Sequence, residues 1–238
     1  MLFLLSRNIF SYDPQILIAD DRIAIIGSAN LNDRSQLGDH DSEIACIIDD
    51  TNTVDSRMNG APWKVTRFAA SLRRQLCRKH LGLLKPQNCE VPDSNFEPVS
   101  ISANAYDWDT PEDMLVADPL APTFENFWNT RAHTNTETFA KIFHVVPYDG
   151  VQTWAQYEDW YERYFRLEAK DGKPKGRYQV GHVVSELYPP GEEGARLVKE
   201  ELSKIKGTIV EMPLLFLKGE DIAKEGIGLN AFTEEVYT

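Results

Sequence analysis

Two short apolar runs dominate the start of the chain, Ile16 to Ala19 and Ile23 to Ile26, and the polar link Asp20-Asp21-Arg22 joins them. Both runs are unbroken and rich in β-branched residues, which favours strands buried on both faces, and the link is typical of a tight hairpin turn. The second run continues into Gly27-Ser28-Ala29-Asn30. A glycine next to short polar side chains and free backbone N–H groups can hold a phosphate oxygen, although Gly-Ser-x-Asn also forms ordinary turns.

The pattern predicts a further strand over 43–48 and a helix over 62–81, with Pro62 in its first turn and Gly82 as its C-terminal cap. The helix carries the most basic part of the chain, including Arg73, Arg74 and Arg78. These cations could form a patch for lipid headgroups. A solvated helix face is the favoured interpretation, because cations late in a helix suit its dipole.

Residues 85–110 are rich in proline, serine, asparagine and acid, and they indicate an irregular connector. A helical pattern follows from Phe124 to Phe143, with a break predicted near Thr134. Aromatic residues recur at helical spacing over 154–165. They could enter a bilayer interface, but packing on the body formed by the preceding part of the chain is favoured, because the opposite face mixes acids with arginines. A short helix over 196–205 and a strand over 208–211 complete the prediction.

Composition and net charge limit the kinds of partner that the chain can bind. The chain has 238 residues, 42% hydrophobic and 26% charged, and its net charge of −12 argues against a nucleic-acid partner. The three cysteines lack metal-ligand spacing, and Cys46, inside an apolar run, is predicted to be a buried thiol. No apolar run is long enough to span a membrane.

The longer string from Ile16 to Ala45 carries Asp20, then Gly27-Ser28 and Asn30, and then Asp41-Ser42-Glu43-Ile44-Ala45. This string resembles the second catalytic motif of eukaryotic phospholipase D, HxKxxxxD followed by GSxN, which occurs once in each half of that two-fold pseudo-symmetric fold. Later phrases, VADPLAPTF and GHVV at 181–184, resemble the C-terminal extension of the filamentous-fungal enzymes. The resemblance implies an α/β fold: part of an HKD half-domain with a mixed sheet and flanking helices, plus a mostly helical C-terminal extension.

The resemblance also implies site residues. Asp20 and Glu43 fall on catalytic positions, Glu43 as the acid that orients a catalytic imidazole, and Ser28 and Asn30 fall on phosphate-binding positions. A strand-entry glutamate facing solvent is the alternative for Glu43. The motif histidine and lysine should stand at positions 13 and 15, where this chain has Asp13 and Gln15.

The expected organisation has four parts: a non-family N-terminus over 1–15, the end of the second catalytic half-domain over 16–84, a connector over 85–117, and an extension over 118–238 that packs on the catalytic body. Translated intron sequence would explain residues 1–15, because the resemblance starts abruptly at Ile16; a genuine, degenerate N-terminus is the alternative.

The expected function is that of the C-terminal part of a phospholipase D, which releases phosphatidic acid from phosphatidylcholine-type lipids. The resemblance implies no cofactor and no metal, because histidine and lysine do that work. It implies a phospholipid at a membrane surface and the N-terminal half of the same enzyme as partners, and a cytoplasmic, peripherally membrane-associated location. This chain alone is expected to be inactive. The alternative is a non-catalytic binding or scaffold protein built on a decayed half-domain.

Overall fold

The structure is a computed structural model that describes residues 2–5, 15–30, 32–84, 108–145, 147–164, 183–184 and 187–221. The chain forms two compact units, Met1–Trp128 with Tyr237–Thr238, and Asn129–Val236. The predicted boundaries at residues 16, 85 and 118 stay predictions.

The first unit combines strands with flanking helices. Its described strands are β1 (Leu2–Leu5), β2 (Gln15–Ala19), β3 (Ile23–Gly27), β4 (Ala45–Asp49), β5 (Thr53–Met58) and β6 (Ala61–Thr66). Its described helices are α1 (Asp33–Gln36), α2 (Arg67–Leu81) and α3 (Pro111–Met114), and α4 (Pro122–Ile142) begins there. The predicted α/β class is confirmed.

A four-stranded antiparallel sheet, in the order β1-β2-β3-β4, forms the centre of this unit. Ile18 and Ala24 pair across β2 and β3 on one face, where they pack with Ala69 of α2 in a buried core. This packing confirms the two predicted strands and fixes their register, since a slip by one residue would turn the buried set to the other face.

The predicted hairpin turn is confirmed at residues 20–22. Asp20 and Asp21 have φ of 52° and 56°, and the Arg22 N–H donates to the Ala19 carbonyl at 2.8 Å. Two successive residues at positive φ match the twist of the flanking strands, and aspartate tolerates this conformation better than most residues.

The predicted start of α2 was wrong. Residues 61–66 form β6, which pairs with β5, and the helix begins at Arg67. Pro62 suits a first helical turn, but it also suits a strand whose neighbour does not need its N–H. The predicted end is confirmed, because Gly82 caps the helix at φ 70°.

The interpretation of the α2 arginines as a solvated face was also wrong. Arg73, Arg74 and Arg78 are buried, at 1–3% exposure. Arg73 makes a two-bond ion pair with Asp21, with N···O distances of 2.6 and 2.7 Å, and donates to the Val116 and Ala117 carbonyls at 2.7 and 3.0 Å. Burial acts to lower the pKa of Arg73, but hydrogen bonding and Coulomb attraction to Asp21 outweigh it and raise the pKa.

The segment 108–120, part of which was predicted to be an irregular connector, is tied to this unit. Asp113 accepts a 2.8 Å hydrogen bond from Arg74, whose guanidinium also lies 3.8 Å from the Trp108 ring centroid. Burial raises the pKa of Asp113 and lowers that of Arg74. Asp118 accepts from the N–H groups of Asn59 and Gly60, in the β5–β6 turn, at 2.9 and 2.7 Å.

The described helices of the second unit are the rest of α4, then α5 (Trp154–Tyr164) and α6 (Glu192–Leu202). The break predicted near Thr134 was wrong, since α4 runs through it. The hydroxyls of Thr134 and Thr138 donate to the carbonyls four residues earlier, which satisfies them inside the helix. Residues 208–211 form no strand; they are irregular.

The aromatic face of α5 contacts residues of its own unit. Trp160 stacks on Tyr148 at 5.5 Å between ring centroids, and Tyr157 meets Phe216 at 6.2 Å. Cys46, predicted to be buried, is exposed on the edge strand β4. None of the helices in the described ranges has the length and apolar character needed to cross a membrane.

Candidate functional site

The end of β3 opposite the hairpin turn brings most of the predicted site residues together. Gln15 pairs with Gly27 at this end of the β2–β3 ladder. Ser28 and Asn30 follow directly, and Glu43 lies just before β4, the next strand of the sheet. The shared sheet edge therefore assembles one cluster from three chain segments.

Gly27 permits the close approach of β3 and β4. A Cβ at this position would lie 2.8 Å from the Ala45 Cβ and 2.8 Å from the Ile44 carbonyl oxygen. Because one of these atoms belongs to the backbone, a side chain here would force the strands apart. The glycine is therefore required by strand spacing, whatever ligand the loop binds.

Ser28 is the centre of the hydrogen bonding. Its hydroxyl donates to the Glu43 carboxylate and accepts from the Ile44 N–H at 3.2 Å, while its own N–H donates to the Ile44 carbonyl at 3.0 Å. The expectation of a free backbone N–H at Ser28 was therefore wrong. The bonds fix the Glu43 carboxylate beside the loop, rather than leaving it to point into solvent.

Asn30 presents an exposed side chain at the loop. Its backbone carbonyl accepts a 2.8 Å bond from the Gln36 amide, which ties it to α1. Asn32 is the N-cap of α1, since its side-chain oxygen accepts from the Ser35 N–H at 3.0 Å. The two asparagines thus differ in the structure: the Asn32 side chain caps α1, and the Asn30 side chain is exposed.

An ion pair closes the loop between β3 and β4. Arg34 Nε lies 2.7 Å from Asp41 Oδ2. The hydrogen bond, followed by the charge attraction, raises the pKa of Arg34, and the same bond lowers the pKa of Asp41. Residues 33–41 did not enter the predicted site, although the Asp33-Arg34 pair and Asp41 lie within the string that carried the resemblance.

Asp20 is not brought to this cluster. It lies in the turn at the other end of β2, about 16 Å from Gln15 at the usual rise of a strand. Its backbone carbonyl accepts a 3.0 Å bond from the Trp63 indole N–H. Asp13 lies outside the described residues. The roles predicted for all six positions stay predictions.

The described residues contain no group of three His, Cys, Asp or Glu side chains that could hold a metal ion. The cluster instead offers one fixed carboxylate, one amide donor and small backbone turns at a sheet edge. Such groups suit the recognition of an oxyanion together with a protonated partner. The predicted site residues Gln15, Ser28, Asn30 and Glu43 thus lie at one edge of the sheet in an α/β fold.

Comparison with known proteins gives the family. Residues 6–105 match the model of the phospholipase D family. Phospholipase D zeta 1 of Arabidopsis thaliana is 34% identical over 217 residues, which cover 87% of this chain and 16% of that protein. Phospholipase D1 of Schizosaccharomyces pombe is 64% identical over 69 residues, 29% of this chain and 5% of that protein. Phospholipase D1 of Mus musculus is 34% identical over 209 residues, 87% of this chain and 15% of that protein.

This chain therefore carries a region of the phospholipase D family, which corresponds to the C-terminal HKD-like region of the eukaryotic enzymes. The chain spans less than a fifth of the length of these relatives. The family match starts at residue 6, ten residues before the predicted start of the resemblance at Ile16.

Proposed function

We propose that this chain is the C-terminal part of a filamentous-fungal type phospholipase D that converts phosphatidylcholine-type lipids to phosphatidic acid and a free alcohol. The observation that carries the proposal is the bonding of Glu43 to Ser28 beside Asn30, at the edge of the sheet. The 34% identity to phospholipase D zeta 1 over 87% of the chain supports it.

In the proposed reaction a histidine nitrogen attacks phosphorus, and the bond from phosphorus to the alcohol oxygen breaks. A second histidine gives its proton to the leaving alcohol and then accepts one from water, which attacks the phosphohistidine and releases phosphatidic acid. Imidazole suits both tasks because its ordinary pKa is about 6.5.

The chain's own residues would position these groups. The Asn30 amide would donate to a phosphoryl oxygen as negative charge builds on it. Glu43, already held by Ser28, would accept the other N–H of an imidazole, which fixes the tautomer and stabilises the imidazolium. Asp20 lies in the turn at the other end of the hairpin and takes no chemical step in the proposed reaction.

We further propose that the 238-residue chain alone is inactive. Aspartate and glutamine stand at positions 13 and 15, where the motif needs histidine and lysine. An anionic side chain about 4 Å from a phosphate would oppose its binding by about 4 kcal/mol at an effective dielectric near 20. The complete enzyme would take both motif histidines and the first half-site from upstream sequence, and it would act in the cytoplasm at a membrane surface.

The test restores an upstream sequence with the first motif, together with histidine and lysine at positions 13 and 15, and measures choline release from phosphatidylcholine. We expect activity to return and Asn30→Ala to lower kcat a hundred- to a thousandfold, the usual loss for one donor to a developing oxyanion. Binding to lipid surfaces should hardly change, because the donor acts mainly in the transition state.

Asn52→Ala is the matched control, because Asn52 is an exposed asparagine of the same unit that forms hydrogen bonds through its backbone N–H and carbonyl. Asn32→Ala should cost about 1 kcal/mol of stability through the lost helix cap, with little effect on kcat. Equal, mild effects of the Asn30 and Asn52 substitutions would make Asn30 a turn residue. A restored enzyme that releases no choline would favour the non-catalytic scaffold, which the residues at positions 13 and 15 otherwise support.

A further inference from the structure

The second unit displays an apolar loop, residues 210–215, with the sequence Val-Glu-Met-Pro-Leu-Leu. Its large apolar side chains are exposed: Val210 by 52%, Met212 by 77%, Leu214 by 76% and Leu215 by 42%. Single exposed apolar residues are common on protein surfaces, but four within six consecutive positions mark an interaction site.

The backbone of the apolar loop is held in place. The buried Asn135 amide donates to the carbonyls of Lys206 and Ile209 at 2.9 and 2.8 Å. The Glu211 N–H donates to the Thr136 hydroxyl at 2.8 Å, and the Leu215 N–H donates to the Asp149 carboxylate at 2.8 Å. Because α4 and the segment at 149 fix the loop, the apolar side chains project from a defined platform.

A cavity of about 420 Å³ opens beside the apolar loop and shares its residues. Its wall is mostly apolar and includes Phe139, Tyr148 and Met212. The acids Glu137, Asp149 and Glu211 also line it. Apolar surface thus continues from the exposed loop into a recess, a shape that can receive a lipid chain as well as protein side chains.

Two exposed lysines flank the apolar loop, and the acids Glu220 and Asp221 follow the second of them. Lys206 precedes the loop and Lys218 follows it, and both are exposed. The acid within the loop, Glu211, pairs with His133 at 3.0 Å. Apolar side chains between two cations suit a bilayer interface with anionic headgroups, where the cations meet phosphates and the apolar groups lie below them.

We propose that the apolar loop is a membrane-contact surface: Val210, Met212, Leu214 and Leu215 enter the interface of an anionic phospholipid bilayer, and Lys206 and Lys218 contact its headgroups. The inference rests on the proposed function, because a phospholipase must hold its active site against a lipid surface.

The experiment is flotation of the 238-residue chain with phosphatidylcholine vesicles that contain about a quarter phosphatidic acid, a composition that makes the surface anionic. Flotation separates vesicle-bound protein from any aggregate, which sediments. The wild-type chain should float, and the Met212→Ser plus Leu214→Ser variant should lose binding about a hundredfold, since transferring each apolar side chain out of water contributes on the order of tenfold. Lys206→Gln plus Lys218→Gln should weaken binding about fivefold per cation at low salt.

Met114→Ser plus Leu187→Ser is the matched control, because it removes one methionine and one leucine of similar exposure, 60% and 54%, outside the apolar loop. It should float like the wild type. Circular dichroism must show that the loop variant keeps its helices. If it unfolds, the single variant Leu214→Gln, which adds no charge, replaces it.

Two results overturn the inference: equal flotation of the loop and control variants, or a wild-type chain that stays unbound. If the wild-type chain does not float but self-associates, and only the loop variant loses this self-association, the apolar loop contacts a second copy of the chain instead. Flotation needs no catalysis, so its failure leaves the proposed function standing. Conversely, if the restored enzyme releases no choline while the chain still floats, the proposed function is refuted and the proposed membrane-contact surface is not.

Discussion

Replacing Arg73 by methionine tests the structure of the first unit most directly. The Arg73 side chain is 1% exposed and its partner Asp21 is 2% exposed. Arg73→Met leaves a buried carboxylate without its cation and takes donors from the carbonyls of Val116 and Ala117. The methionine stem fills much of the same volume, so the change is mainly electrostatic.

The expected loss is large relative to the stability of a domain. Breaking a buried ion pair by removing one partner costs about 3–5 kcal/mol, against a total of about 5–15 kcal/mol for a typical domain. With a urea slope near 2 kcal/mol per molar, the unfolding midpoint should fall by about 2 M. Asp21→Asn should cost less than Arg73→Met, because asparagine also tolerates the φ of 56° and keeps one acceptor for Arg73.

Urea unfolding followed by tryptophan fluorescence measures these losses, since Trp63 packs against Arg22 and bonds to Asp20 beside the pair. The double variant should lose less than the sum of the single losses, because the two side chains interact directly. Arg57→Met, an exposed arginine of the same unit, is the control and should change stability by less than about 0.5 kcal/mol. A loss below about 1 kcal/mol for Arg73→Met would refute the buried pair.

Two further predictions concern titratable side chains. Cys46 is exposed, while Cys77 is fully buried and burial raises its pKa to about 11. In a folded chain carrying Cys89→Ser, iodoacetamide should therefore label Cys46 and spare Cys77. Peptide mass spectra that show equal labelling of the two cysteines would contradict this. The hydrogen bond to Glu211 raises the pKa of His133, so the charged pair is lost as pH rises through that raised value. A histidine titration by NMR should show the pKa of His133 fall towards 6.5 in Glu211→Gln, and an unchanged titration would rule the pair out.

Local sequence patterns predicted the parts of the fold that depend on neighbouring residues, such as turns and helix ends. The alternation of two β-branched runs with an acidic link was enough for the β2–β3 hairpin, and Gly82 was enough for the end of α2. The residues that assemble at the sheet edge were also predictable, because the Gly27-Ser28 turn and Glu43 lie in one motif-like string.

Features that depend on contacts between residues far apart in the sequence could not be predicted from local patterns. Charge spacing on α2 is the same for a solvated face and for a buried one; the partners of Arg73 and Arg74 are Asp21 and Asp113, 52 and 39 residues away. Likewise, Asn135 satisfies the backbone near Ile209 from 74 residues away, and no local pattern distinguishes that asparagine from a helix breaker.

The ties between α2 and the segment 108–118 bear on where this protein can be cut. The family match ends at residue 105, but Asp113 and the carbonyls of Val116 and Ala117 bind buried arginines from beyond that point. A fragment trimmed to the match would take the Asp113 carboxylate from Arg74 and two carbonyl acceptors from Arg73, although Arg73 would keep its ion pair with Asp21. Lost partners of this kind cost about 1–3 kcal/mol each. The smallest piece worth expressing therefore extends to at least Asp118, whose carboxylate also holds the β5–β6 turn.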